Sequence, residues 1–185
     1  YRDDYLFRDD FPEEVRWIKK NMKKKDEPQI QAKDLITEEE MKKLMDAAQH
    51  PMERAFISVL SESGARVSEI GNLRIKDVYH DEFSYLIHFK GKTGERIDRV
   101  LYSDVYIANW LNVHPLKDNP EAPLWVNLKT NTQMKYPNIR HLLNKLCKHA
   151  GMDKKRIYPH LFRHSRVTIN ARKGLSEPIL KKYFG

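Results

Sequence analysis

The stretch Pro159-His160-Leu161-Phe162-Arg163-His164-Ser165 puts two imidazoles and a guanidinium at i, i+3 and i+4. On a helix they share a face, while Leu161 and Phe162 turn elsewhere. Pro159 suits the first turn of such a helix, where an amide has no partner to lose. A face of this composition binds an anion. Two more cations stand in other parts of the chain: Arg66, in Gly64-Ala65-Arg66-Val67-Ser68-Glu69-Ile70, and Lys92, in Lys90-Gly91-Lys92-Thr93-Gly94-Glu95. Together Arg66, Lys92, His160 and Arg163 suit a phosphodiester. The transition state of phosphoryl transfer carries extra negative charge, and two planar guanidinium forks can hold its oxygens by charge-assisted hydrogen bonds. The sequence has no acidic cluster for magnesium, and Glu69 and Asp77 are too few and too differently placed for a two-metal site. Cationic side chains are expected to replace the ions, with no cofactor and no metal.

Each of these residues must be carried by an element that the pattern predicts. Thr37-Glu38-Glu39-Glu40 is a capping box, followed by the apolar stripe Met41, Leu44, Met45 and Ala48. A second helix is predicted from Pro51 to Ser63, closed by Gly64 as a left-handed cap. Val67, Ile70 and Leu73 then anchor a short helix with Arg66 at its first turn, a position that opposes the helix dipole unless an anion or acid offsets it. Glu69 could simply pair with Arg66, so an ion pair and a functional arginine are both open on spacing alone. Between Asp77 and Leu101 the period changes to two, with Tyr85, Ile87 and Phe89 alternating with Ser84, Leu86 and His88, so a small antiparallel sheet is expected. Lys92 would sit at the tip of its hairpin, where most lysines are merely solvated.

Ser103 is expected to cap a helix through Leu111. Ile139, Leu142, Leu143, Leu146 and Ala150 make the strongest helical stripe, stopped by Gly151; Cys147, His149 and His141 beside it lack metal-ligand spacing. The helix opened at His160 should reach Gly174, and Ser176 should cap a last one holding Ile179, Leu180, Tyr183 and Phe184. The pattern is mostly helical α+β.

The 185 residues are enough for one sizeable core, and 34 Lys and Arg against 26 Asp and Glu leave a charge of +8 that favours a polyanionic partner. No run approaches the ~18 apolar residues of a membrane span, so no membrane association is expected and a cytoplasmic location is. The single cysteine, Cys147, excludes an internal disulfide. Lys19-Lys20-Asn21-Met22-Lys23-Lys24-Lys25 reads equally as a solvated connector or as a phosphate contact, and the lack of an initiating methionine suggests that something precedes Tyr1.

In order and approximate spacing, the Gly64–Ile70 motif, Gly91-Lys92-Thr93-Gly94 and His160–Ser165 resemble the motifs of the tyrosine recombinase, or phage integrase, family. The resemblance runs from about Asp34 to Gly185, and Ala122-Pro123-Leu124-Trp125 and Pro159–Ser165 are particularly similar to archaeal and archaeal-virus integrases. It implies an α+β catalytic domain over 34–185, preceded in 1–33 by the end of a DNA-clamping domain and a basic linker. Arg66 and Arg163 would clamp the scissile phosphate. His160 would donate to it and serve in proton transfer, and Lys92 would protonate the departing 5′-hydroxyl. Glu69 would orient the site, and His164 would support it by packing or a hydrogen bond more than by catalysis.

Two family positions are missing. A histidine or tryptophan should follow a Leu-Gly-like pair, here Phe184-Gly185, and the nucleophilic tyrosine should come about three helical turns later. Both would lie beyond Gly185. Tyr183 comes too early and is read as core, so this chain is expected to bind double-stranded DNA without cleaving it. The parent protein is expected to be a site-specific recombinase that forms a 3′-phosphotyrosine link, integrates or excises a mobile element, and works as a homo-tetramer on paired sites. The alternatives are a chromosome-dimer-resolving recombinase of the same chemistry and a non-catalytic DNA-binding regulator that has lost the nucleophile.

Overall fold

A computed structural model of the chain describes residues 35–91, 94–153 and 156–184. The expected N-terminal segment 1–33 and the hairpin lysine Lys92 lie outside these residues. The described elements run α1 (Glu38–Ala47), α2 (Pro51–Ser63), α3 (Val67–Gly71), β1 (Val78–His80), β2 (Tyr85–Gly91), β3 (Gly94–Val100), α4 (Asp104–Asn112), α5 (Tyr136–His149), α6 (Pro159–Arg172) and α7 (Glu177–Phe184). The fold is mostly helical α+β with one small antiparallel sheet in the order β1-β2-β3.

At the centre stands α2, whose Ala55, Phe56, Ile57, Val59 and Leu60 are completely buried. It packs against α4 on one side and α6 on the other, with β3 and α1 also in contact. A helix apolar on nearly all sides has to be surrounded in this way. Phe56 meets Trp125 edge to face at 5.2 Å. The Trp110 indole N–H donates to the Leu124 carbonyl at 2.9 Å, so the Leu124-Trp125-Val126 segment is fastened into the core.

The termini of α1 and α2 follow the sequence pattern. Thr37 and Glu40 form the reciprocal capping box, and Gly64 closes α2 with φ 56°. A Cβ on Gly64 would also stand 2.9 Å from Cβ of Arg166 on α6. Glycine is required there both by backbone conformation and by close helix approach. The Ser103 expectation fails in detail. Ser103 occupies the N-cap position of α4 but its side chain caps nothing, and its buried hydroxyl has no partner among the described residues. Its amide donates instead to Glu62, whose carboxylate also accepts from the amides of Leu101 and Tyr102. A carboxylate from α2 gathers that turn.

The sheet keeps strict alternation. Ile87 and Phe89 of β2 are buried, and β3 turns Arg96, Asp98 and Val100 to the same inner side. Gly91 and Gly94 still pair across the hairpin. At the other end of the chain, Tyr183 is corrected from core to surface: it is 48% exposed, while Leu180 and Phe184 form the buried side of α7.

Candidate active site

Three elements converge where α2 ends. Gly64 turns the chain out of α2, and two residues later Arg66 occupies the N-cap position of α3 with extended backbone. The sequence pattern placed Arg66 inside the first turn; it lies just outside it. Its side chain therefore opposes no completed helical turn, and the helix N-terminus is served by Glu69. One Glu69 oxygen accepts the Arg66 amide at 3.0 Å and the other accepts Arg66 Nη1 at 3.1 Å. The ion pair that the spacing allowed is formed, with Arg66 held by Glu69 at 3.1 Å.

From α6, Arg163 reaches the same place. It is 7% exposed, donates from Nη1 to the Gly64 carbonyl at 3.1 Å, and sets its guanidinium carbon 5.5 Å from the Phe184 ring centre. Burial first, then the neighbouring Arg66 charge, pushes its pKa down to about 10; Glu69 opposes this and Arg96 adds to it. The guanidinium remains charged at neutral pH, but it stands in poor solvation among like charges. An anion entering here would relieve that repulsion and replace lost hydration.

One turn away on α6, His160 is exposed and His164 is buried beneath it, with ring centres 4.9 Å apart in an edge arrangement. Burial, then His160 and Arg163, pushes the His164 pKa down to about 4. His164 is therefore neutral at pH 7, and its Nε2 is buried with no hydrogen-bond partner among the described residues. The i, i+3, i+4 spacing thus separates into an exposed imidazole, a buried guanidinium and a buried neutral imidazole.

The hairpin arrives from the third side. Gly91, the end of β2, lies against Glu69, so that a Cβ there would stand 2.5 Å from Oε1. Lys92 is the next residue in the chain. The sequence reading missed what β3 brings to the same carboxylate. Arg96 donates from Nη1 to Glu69 Oε2 at 3.1 Å and from Nε to Asp98 Oδ2 at 3.1 Å. Burial is the largest influence on Glu69 and acts to raise its pKa. The Arg66 amide, the Arg96 charge and the hydrogen bonds from both arginines outweigh it and hold the carboxyl below its ordinary value. Asp98 is raised: burial dominates, Arg96 and Arg166 only partly offset it, and Glu69 adds to the rise. The available signal was a charged pair at i, i+2 in a period-two segment, which turns both side chains toward the side that Val100 buries.

Arg66, Glu69, Arg163, His160 and His164 are thus brought to one corner, with Arg96 and Asp98 below it. Its chemical capacity is to hold an anion between two guanidinium groups and to exchange a proton through an exposed imidazole.

A profile described as the phage integrase family matches residues 34–185. The tyrosine recombinase XerA of Pyrococcus horikoshii, an archaeal relative, is 31% identical over 156 residues, which are 81% of this chain and 52% of that protein. A crystal structure of XerA recombinase superposes with a TM-score of 0.70 at 27% identity, covering 82% of this chain and 55% of that one. The XerH site-specific recombinase, solved bound to its difH substrate in a pre-cleavage complex, shares the fold with a TM-score of 0.65 at 20% identity over 82% of this chain and 47% of that one. The chain spans about half the length of the relatives it matches.

Proposed function

This chain belongs to the phage integrase family, and from that premise we propose that it supplies most of the catalytic domain of a site-specific DNA recombinase. The observation that carries the reading is the meeting of Arg66 and Arg163 around the C-terminus of α2: Arg163 donates to the Gly64 carbonyl, and Arg66, two residues on, is held by Glu69. Two guanidinium groups so placed attract a phosphate, and they bind its doubly charged transition state more strongly than its ground state.

In this reading Arg66 and Arg163 clamp the scissile phosphodiester and Glu69 fixes the orientation of Arg66. His160, on the exposed end of the α6 face, donates to a phosphate oxygen and takes part in proton transfer. Lys92, following Gly91 at the hairpin, protonates the 5′-oxygen as it leaves. His164 acts from beneath as the neutral neighbour that packs His160 in place. A tyrosine phenol, supplied by sequence after Gly185 in the full protein, gives its proton to the His160 imidazole and attacks phosphorus in line. The P–O5′ bond breaks as the phosphotyrosine bond forms, so the link conserves the phosphodiester bond's energy and a 5′-hydroxyl on another strand can reverse it.

The partner is double-stranded DNA, in keeping with the +8 charge, and the working assembly is a homo-tetramer on paired sites, preceded in each subunit by a DNA-clamping segment that ends near residue 33. The protein acts inside the cell on a mobile element. Among the described residues no helix is long and apolar enough to cross a membrane. A second biological role open to the same chemistry is the resolution of chromosome dimers.

The test is to incubate the full-length protein with a nicked duplex and separate the products under denaturing conditions. A protein–DNA adduct whose linking residue maps to a tyrosine after residue 185 is the expected result. DNA binding with no adduct on any duplex tried would replace the enzyme by a non-catalytic DNA-binding protein of the same fold.

A further inference from the structure

Arg96, which the recombinase reading gives no role, is bound to two buried carboxylates beside the site. Its side chain is 19% exposed and is shared between two carboxylates, Glu69 and Asp98, whose side chains are 3% and 8% exposed. The guanidinium carbon lies 4.8 Å from the centre of Phe89, the residue opposite it in the β2–β3 register. The ring stacks under the guanidinium, Asp98 takes Nε and Glu69 takes Nη1, while Nη2 is buried with no hydrogen-bond partner among the described residues.

The bond to Glu69 is the only described hydrogen bond from this cation that leaves the sheet. Glu69 Oε2 is held by the Arg66 amide and by Arg96 together. The carboxylate is therefore pinned between the N-terminus of α3 and strand β3. Without Arg96, two buried carboxylates, Glu69 already raising the proton affinity of Asp98, would be left with no common cation. Glu69 would have to turn or protonate, and either change withdraws it from Arg66.

We propose that Arg96 is a positioning residue of this site: from β3 it holds the Glu69 carboxylate against the N-terminus of α3, and so fixes the phosphate-clamping Arg66 relative to the β2–β3 hairpin. The inference rests on the recombinase reading given above. It makes the hairpin part of the clamp's framework. Strand β3 thereby sets the orientation of the first arginine through Glu69.

The experiment compares wild-type full-length protein with Arg96→Met, which keeps the apolar stem and loses the charge, and Arg96→Lys, which keeps the charge and loses the fork. Two quantities are read: the single-turnover rate of adduct formation at saturating DNA, and amide hydrogen exchange at Arg66 against that of the core of α2. For Arg96→Met the rate is expected to fall about 100-fold, the scale of a misplacement of ~1 Å, with DNA affinity within about threefold. Exchange at the Arg66 amide should quicken roughly tenfold, as one hydrogen bond is lost, while the α2 core is unchanged. Arg96→Lys should recover part of both effects. A slowed reaction with unchanged exchange at Arg66 overturns the route through Glu69, and quickened exchange with an unchanged rate overturns the positioning role. If Arg96→Met also loses protection throughout α2, the Lys variant decides, because its α2 core should stay protected while Arg66 does not. Absence of adduct in wild type and variants alike overturns the recombinase reading and with it any role in that reaction, and the Arg66 amide still decides whether Arg96 holds Glu69.

Discussion

Gly91, the last residue of β2, lies so close to the Glu69 carboxylate that a Cβ there would stand 2.5 Å from Oε1. A flexible surface carboxylate would move aside at little cost. This one is buried and held by two arginines and an amide. The hairpin therefore approaches the site by a glycine because the space beyond its backbone is already filled.

Replacing that glycine tests the contact directly. Gly91→Ala should push Glu69 off Arg66 and lower the rate of adduct formation by about 10- to 100-fold, the range that follows from misplacing a clamping group. Because the displaced carboxylate is buried and held by three donors, the melting temperature should also fall, by roughly 5–15 °C. Single-turnover cleavage and a thermal melt measure the two, and a rate equal to wild type would show that Glu69 has room to relax.

Removing either of the two arginines proposed to clamp the phosphate should separate binding from chemistry. In Arg66→Ala and Arg163→Ala the covalent adduct is expected to vanish while duplex affinity, spread over many phosphate contacts, falls by less than about tenfold. Gel-shift titration beside the adduct assay reads both. Wild-type adduct in either variant would remove that arginine from the clamp.

Lys92→Ala should slow cleavage by about 10²–10⁴, the range for loss of a general acid. A substrate with a bridging 5′-thiol leaving group, which needs no proton to depart, should restore the rate. Failure of the thiol substrate to rescue Lys92→Ala would assign the proton to another group.

His164 predicts an acid limb in stability. Its pKa is lowered from 6.5 to about 4 by burial, His160 and Arg163, so the unfolded chain binds its proton more readily than the folded one. The stabilisation is complete above pH 6.5 and is lost as the pH falls from there to about 4. At about 1.4 kcal/mol per pH unit the group accounts for up to roughly 3 kcal/mol. Glu69 and Glu53, whose pKa values lie below 4.5, lose their contribution only at lower pH. Denaturant titrations between pH 7 and pH 4 should show this slope in the wild type and a flatter one in His164→Gln; parallel curves would rule His164 out as its source.

Much of the fold is legible in short-range chemistry. The Thr37 capping box, Gly64 at the end of α2 and Gly151 beyond α5 follow from rules that concern a few consecutive residues. Ser103 shows where such rules stop. Its type and place suit an N-cap, yet Glu62, 41 residues away, takes its amide and leaves its hydroxyl idle. Tyr183 shows the same limit in packing, because α7 meets α6 through Leu180 and Phe184 and turns Tyr183 outward. An apolar stripe on a short helix does not say which of its edges meets the neighbour.

The sequence by itself determined the cations, their order along the chain and the local elements that carry them, because helix spacing, caps and strand alternation act over a few residues. It also determined the family, since three ordered motifs are legible without coordinates. Only the tertiary structure decided how those cations stand to one another. It set His160 outward and His164 inward on one helix, brought Arg163 to the Gly64 carbonyl, and inserted Arg96 between Glu69 and Asp98. These are contacts between residues distant in the chain, fixed by which face of each element is buried, and no local pattern encodes them.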